Sequence, residues 1–467
     1  MIDEKLKEKK VGFISLGCDK NRVDLEKMIF NIKSAGFTIV NDPQVANVII
    51  VNTCSFLESS RLESIENILD MARYKNGNLE KLIVTGCLNE LKYSDLASSL
   101  PEVDAFVNVK DNDKIVSIIC SLYHTTCDYK NLSGRVLTTP SHYAYIKIAE
   151  GCNNFCSYCL IPYIRGRYKS RPKEEIISEA TELVNNGTKE IILVAQDVTK
   201  YGIDLYEKNE LANLLHELSL IKNLKWIRLL YCYPEEIDDV LIQEIKNNDK
   251  VVKYLDIPLQ HVSDSVLKSM NRRSTEKNIE SLFTKLKTEI PNIVLRTTFI
   301  LGFPNEQQSD FEKILEFLKK YKLENVGFFK YSREEGTRSF DFENQIEESE
   351  KELRLNQASQ VQFDIQNQIH NNLINQVVEV LIDQSFDTYS IGRYYGQCPQ
   401  IDGYIIINEP LKVGEFYNVK ITKKSDYDLI GERIWIFQIE FLWLELFWCQ
   451  SLLLFIYLVS LTQNLLL

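Results

Sequence analysis

Near-continuous runs of β-branched and apolar residues alternate with helical patterns twice along this chain. The first series is "VGFISLG", "VANVIIVNT", "KLIVTG" and "EVDAFV", with helical spacing at Arg22–Ala35 and Ser59–Tyr74 between them. Strands that are apolar on both faces belong in a parallel sheet covered by helices on each side. Residues 8–125 therefore read as a small doubly wound parallel α/β domain. The second series is "YAYIKIAEG", "EIILVAQD", "WIRLLYCYP", "VVKYLDIPLQ", "VLRTTFILGF" and "NVGFFKYS", again with helices such as Glu174–Asn186 and Asp310–Tyr321 between them. Six βα units over residues 138–370 predict an open (βα)6 barrel, with chemistry at the carboxyl ends of its strands. A charged, Gln/Asn-rich helical linker covers Glu343–Asn375. From residue 371 to 434 the period changes to two, in "VVEVLID", "YSIGRYYG", "DGYIIIN" and "EFYNVKITK", which predicts a small antiparallel β-barrel.

Eleven cysteines lie scattered in this long chain, a pattern of metal-binding or reactive thiols in a reducing compartment rather than a disulfide framework. Cys18, Cys54 and Cys87 follow the first, second and third apolar runs, at the strand edge where open α/β sheets bind ligands. Three thiols at equivalent positions predict a shared metal site. In "EGCNNFCSYCLIPYIRGRYKSRP" (150–172), Cys152, Cys156 and Cys159 stand within eight residues, just after the first strand of the second series. No fourth cysteine or histidine follows nearby. A structural zinc requires four protein ligands in a closed shell. A four-iron cluster held by three thiolates instead leaves one iron free to chelate a substrate, here the amino and carboxylate groups of S-adenosylmethionine. An electron passed to the sulfonium then breaks a carbon–sulfur bond, chemistry that belongs to the cofactor.

The spacing of Cys152, Cys156, Tyr158 and Cys159 resembles the radical S-adenosylmethionine signature, and the order of domains from Val11 to Ile434 resembles the methylthiotransferase family. "SLGCDKNRVDLEKM", "YLDIPLQHVSD" (254–264) and "KYSREEGTRS" (330–339) resemble its RimO-type branch, which modifies an aspartate of ribosomal protein S-twelve. The tRNA branch has Gln-Met-Asn where this chain has Asp19-Lys20-Asn21. The resemblance implies that Cys18, Cys54 and Cys87 hold a second 4Fe–4S cluster, and that the terminal barrel is a TRAM domain. It implies transfer of a methylthio group to the β-carbon of the substrate aspartate. Two S-adenosylmethionine molecules are used, one as methyl donor and one as radical source. It further implies a flavodoxin or ferredoxin as electron donor, a monomer, and a cytoplasmic location. The alternatives are a tRNA adenosine methylthiotransferase and a non-catalytic iron–sulfur protein that docks on ribosomes.

Charge agrees with a protein substrate. The net charge is −12, and residues 371–433 carry nine Asp/Glu against six Lys/Arg. A barrel that grips tRNA should be basic, whereas an acidic one suits a basic ribosomal protein, so no stable nucleic-acid complex is expected. In the family, the position of Gln196 and Asp197, ending the second barrel strand, approaches the methionine end of the cofactor; a polar strand end facing water is the plainer alternative. Gly302 in "ILGFP" suits either a close approach to the cofactor's adenosine or an ordinary turn. Arg165, Arg167 and Arg171 read as a solvated loop, His261 as a structural hydrogen bonder, and Cys120, His124 and Cys127 as a helix end without metal. Cys232, Cys398 and Cys449 read as bystanders. "MIDEKLKEKK" is charged and shows no secretory core. Residues 435–467 carry no charge after Glu445, and are expected to be an extension foreign to the fold or a packed apolar helix rather than a membrane span.

Overall fold

The computed structural model describes residues 4–91, 96–125, 127 and 129–434. It divides into two compact units, with the boundary in the chain between Gln366 and Asn367. The first unit contains both α/β series.

The amino-terminal sheet is formed by β1 (Lys10–Ser15), β2 (Thr38–Ile39), β3 (Val48–Thr53), β4 (Lys81–Gly86) and β5 (Ala105–Phe106), ordered β2-β1-β3-β4-β5. Every pairing is parallel. All six side chains of β3 are buried. Val48 and Ile50 enter one core with Ile83, and Ile49 and Val51 enter the opposite core with Leu82 and Val84. This alternation is the period of two expressed on a sheet covered on both sides. Each fully buried Val or Ile contributes about 1.5–3 kcal/mol, so helices must cover both faces. The two-residue strand β2 is too short to produce a readable run, whereas β5 lies within the run "EVDAFV".

The second sheet has six parallel strands. They are β6 (Tyr143–Lys147), β9 (Glu190–Val194), β10 (Trp226–Leu229), β11 (Val251–Asp256), β12 (Val294–Leu301) and β13 (Asn325–Lys330), in sequential order across the sheet. Sequential order with every connection passing through helices is the open barrel expected from the six βα units. Between β6 and β9, a two-stranded clip pairs β7 (Ala149–Glu150) with β8 (Lys169–Ser170) and pinches the base of the loop carrying the cysteine triplet. Helix Glu348–Leu373 occupies the stretch read as a linker.

In the second unit a closed barrel is formed by β14 (Val377–Ser385), β15 (Ser390–Arg393), β16 (Ile405–Ile407), β17 (Phe416–Ser425) and β18 (Asp428–Arg433). Its core includes Val380, Ile382, Ile405, Ile407, Val419, Ile421 and Leu429. All pairings are antiparallel except β16 with β18, which is parallel. The sequence reading missed β18, because Asp428, Glu432 and Arg433 interrupt its apolar pattern. Among the described residues no helix is long and apolar enough to cross a membrane, and the apolar 435–467 stretch lies outside them.

Barrel closure is complete by Arg433, and the Ile434 amide still donates to Asn418 at 2.9 Å. A chain ending at Ile434 is therefore expected to keep the thermal midpoint of the full chain in calorimetry. Loss of the cooperative transition on truncation would mean that the barrel requires residues beyond it.

Candidate active site

Cys18, Cys54 and Cys87 lie at the carboxyl ends of β1, β3 and β4, in three turns tied to one another. The Asn21 amide donates to Leu16 O (3.1 Å) and Thr53 O (2.9 Å), and Asn52 donates to Asn21 O (2.8 Å). Thr53 Oγ1 donates to Thr85 O (2.6 Å) and accepts from the Leu88 amide (3.2 Å). Two of the turns require glycine. Gly17 has φ +88°, and a Cβ there would stand 2.8 Å from Cys54 Cβ and 3.0 Å from its sulfur. Gly86 has φ +94°, and a Cβ there would stand 2.4 Å from Thr53 O. Cys54 and Cys87 are buried, whereas Cys18 is exposed at the start of helix Asp19–Ser34. Burial pushes the Cys87 thiol up to about 11 against the pull of Arg165, and Cys18 and Cys54 add to the rise.

The triplet is held as firmly. Gly151 has φ +76°, and a Cβ there would stand 2.2 Å from Arg167 O. The Asn154 amide donates to Cys152 Sγ and the Ile161 amide to Cys159 Sγ, each at 3.4 Å. Burial raises Cys152 to about 11, with Cys156 adding to the rise, and it raises Cys159 further. Ser157 is tied to Met270 O (3.0 Å) and Ser269 O (2.9 Å), so the loop leans on the segment after β11. Among the described residues, no three Cys, His, Asp or Glu side chains converge as the ligands of a single ion do. Each set instead brings three thiols into one neighbourhood, close enough that Cys18 and Cys54 add to the rise at Cys87, and Cys152 and Cys156 to the rise at Cys159. That spread suits a polynuclear iron–sulfur group better than a mononuclear zinc.

The other expected residues cluster here with structural partners. Asp197 is fully buried; it accepts from the Thr199 hydroxyl (2.5 Å) and from Asn154 Nδ2 (3.1 Å), which anchors the cysteine loop to the end of β9. Burial raises its pKa. Gln196 donates to Glu150 (2.9 Å), and its Oε1 is buried without a partner. Tyr158 packs edge-on against Phe303 at 6.4 Å between ring centroids. Gly302 has φ +73°, and a Cβ there would meet Lys351 Cγ at 2.3 Å, so backbone and packing both require glycine. His261 accepts at Nδ1 from the Val262 and Ser263 amides (3.0 and 2.9 Å), as its structural reading expects, and burial lowers its pKa to about 3. Cys120 is buried in the amino-terminal core with Cys127 packed against it, and Cys232 and Cys398 are buried.

The solvated-loop reading fails for Arg165. Its side chain is 2% exposed, and it pairs with Asp24 (2.9 Å) and Glu150 (3.4 Å). It also donates to Asn21 Oδ1, and to Cys87 Sγ at 3.4 Å. Lys147 completes the network with ion pairs to Asp24 and Glu150. Arg171 is likewise engaged, with Lys147 O (2.7 Å) and Glu179 (2.8 Å), whereas Arg167 is exposed and covers the Phe155 ring. Leu160 and Ile164, just after the triplet, form one apolar cluster with Cys87 and Leu91. The two cysteine-bearing edges therefore meet. Arg61 adds a further tie, pairing at 2.7 Å with Glu334 of the "KYSREEGTRS" stretch.

Two more cations stand at this junction and escaped sequence reasoning. Arg272 is 7% exposed; it donates to Pro258 O (2.9 Å) and lies 4.3 Å from the Tyr233 ring centroid. Its Nε and Nη1 are buried without hydrogen-bond partners. Lys20 is 8% exposed, with its ammonium 3.5 Å from the Tyr231 ring centroid. Burial would lower the Lys20 pKa, but Tyr231, Cys18 and Asp19 hold it above the ordinary value.

Comparison with known proteins follows the same division of the chain. Residues 10–108 match an uncharacterized protein family, UPF0004, residues 146–318 match the radical SAM superfamily, and residues 374–434 match the TRAM domain. The chain is 49% identical over 448 residues to the ribosomal protein uS12 methylthiotransferase RimO of Acetivibrio thermocellus, covering 91% of this chain and 99% of that protein. It is 50% identical over 435 residues to a protein of the same name from Clostridium botulinum, covering 90% and 97%. Among solved structures, the radical S-adenosylmethionine methyltransferase TsrM of Kitasatospora setae, with cobalamin and a [4Fe-4S] cluster bound, superposes with a TM-score of 0.53 at 13% identity, covering 69% of this chain and 75% of that one. That likeness is one of fold.

Removing one cation from a buried charge network leaves uncompensated carboxylates, at a cost of about 3–5 kcal/mol. Arg165→Met is therefore expected to lower the thermal midpoint clearly, and Arg167→Met, on an exposed side chain, to change it little. Equal effects from the two variants would contradict the bridging role of Arg165.

Proposed function

The chain belongs to the radical S-adenosylmethionine methylthiotransferases of the RimO type, and from that membership we propose that it transfers a methylthio group to ribosomal protein uS12, at the β-carbon of an aspartate. The observation that carries this reading is the meeting of two three-thiol sets at the adjoining carboxyl edges of two parallel sheets, with Leu160 and Ile164 packed against Cys87. A reaction that joins sulfur chemistry at one set to radical chemistry at the other requires that adjacency. When bound, the two 4Fe–4S clusters and S-adenosylmethionine supply the one-electron reduction that generates a carbon radical, together with the sulfur and methyl to be transferred.

The protein's own residues provide placement. Cys152, Cys156 and Cys159 would hold the radical-generating cluster, and Cys18, Cys54 and Cys87 the second one. Amides of Asn154 and Ile161 donate to sulfurs of the first set, and Arg165 donates to a sulfur of the second. The free N–H groups of Arg272 suit the carboxylate of S-adenosylmethionine, and the free Oε1 of Gln196 suits its ammonium. Asp197 fixes the loop between them through Asn154. Tyr158 and Gly302 complete the proposed cofactor pocket. The surplus of acidic residues in the TRAM barrel favours encounter with a basic ribosomal protein. We assign the electron supply to a flavodoxin or ferredoxin, and expect a monomer acting in the cytoplasm.

Anaerobically reconstituted enzyme is expected to bind about eight irons. Alanine at Cys152, Cys156 and Cys159 should remove half of the iron and all cleavage of S-adenosylmethionine. Alanine at Cys18, Cys54 and Cys87 should remove the other half and abolish methylthiolation of uS12, with cleavage still measurable. Unchanged iron in either triple variant, or mass analysis that finds the methylthio group on tRNA rather than uS12, would overturn the reading.

A further inference from the structure

Burial and position in the helix both work against a positive charge at Lys20, which its neighbours nevertheless keep charged. It is the second residue of helix Asp19–Ser34, where the helix dipole disfavours positive charge. It is nearly buried, and among the described residues no carboxylate lies within ion-pair distance of its ammonium. Its close neighbour is the face of Tyr231, at 3.5 Å from the ring centroid. Attraction to an aromatic face offsets only part of the desolvation of an ammonium.

Tyr231 is itself held under constraint. Its φ is +64°, in the left-handed region that a bulky side chain seldom adopts. Its amide donates to Asp256 Oδ2 at 3.0 Å, and Asp256 is fixed by Arg296 at 2.9 Å. The strain sits in a short segment after β10 that faces both cysteine edges. Tyr231 meets Lys20, two residues from Cys18; Tyr233, two residues further on, stacks with Arg272 beside Cys156. A desolvated cation is thus positioned at the junction where the target carbon must lie.

We propose that Lys20, seated on Tyr231, receives the side-chain carboxylate of the substrate aspartate and so selects an acidic residue at the methylthiolated position. The assignment rests on the functional reading above. The target methylene of an aspartate is bonded directly to its carboxyl carbon, so pinning the carboxylate places the carbon–hydrogen bond with little rotational freedom left. The carboxylate also supplies a partner at ion-pair distance, which Asp19 and Cys18, acting from further off, do not, in a site dry enough for the pairing to discriminate against a neutral amide. Arg272 lies on the Cys156 side of the same segment and is left for the cofactor's own carboxylate.

The test compares wild type, Lys20→Met and Lys20→Arg on uS12 and on uS12 with its target aspartate changed to asparagine. Iron content and thermal midpoint are measured in parallel to confirm that each variant is folded and loaded. Wild type should strongly prefer the aspartate form. Lys20→Met should lose about 10- to 100-fold in kcat/KM on that form, the loss expected for one charge-assisted hydrogen bond, and should lose most of its discrimination against asparagine. Lys20→Arg should restore much of both. Discrimination that survives in Lys20→Met, or a change confined to the KM for S-adenosylmethionine, overturns the assignment alone. A wild-type enzyme that modifies neither uS12 form while modifying tRNA overturns the functional reading, and the assignment with it.

Discussion

Everything at the site depends on a largely buried group of four charges in which Asp24 and Glu150 face Lys147 and Arg165. Burial alone would raise the pKa of Asp24, but Lys147 and Arg165 hold it at about 2. Such networks contribute little net stability compared with apolar packing of the same volume, and their value lies in fixing one arrangement. Here the arrangement is the meeting of two sheets. Asp24 belongs to the amino-terminal helix and the other three to the barrel, so the balance of charge is complete only when the two α/β bodies dock in this register. Arg135, 3% exposed and paired with Glu26 and Glu179, repeats the device on a neighbouring stretch of the same junction.

From that docking follows a division of labour along each edge. Glycines at 17, 86 and 151 let the backbone turn where a Cβ would strike a neighbour, and that tight turning brings the thiols to the strand ends. Desolvation then raises the pKa values of Cys87, Cys152 and Cys159, so their thiolate forms need a compensating positive charge, which iron would supply. Arg165 joins the two levels of organisation, holding the charge network with one nitrogen and a Cys87 sulfur with the other. The segment 231–233 does the same from the barrel side.

The strands and the cysteines were legible because both are local signals. Six apolar runs and a triplet spaced by three and two residues need no knowledge of the fold to be recognised. The short strand β2 and the charged strand β18 carry too little pattern to be found that way. Arg165 was misread because its partners are remote in sequence, Asp24 lying 141 residues away and Cys87 lying 78 away. An arginine in a polar loop has no local mark of burial. Lys20 and Arg272 escaped for the same reason, since each is defined by a tyrosine brought to it by the barrel. Gly302 stood out in the sequence as a strand-end glycine, and the structure adds a packing reason for it in Lys351, on a helix 49 residues later, which its missing Cβ leaves room for.

The central claim is that the two cysteine sets hold two clusters facing one another across one junction. Electron paramagnetic resonance of the enzyme with both clusters reduced tests this directly, by comparing its spectrum with the sum of spectra from the two triple-cysteine variants. Close facing clusters predict a resolved spin–spin interaction and faster relaxation that neither variant shows. A spectrum equal to the plain sum of two isolated clusters would contradict the account.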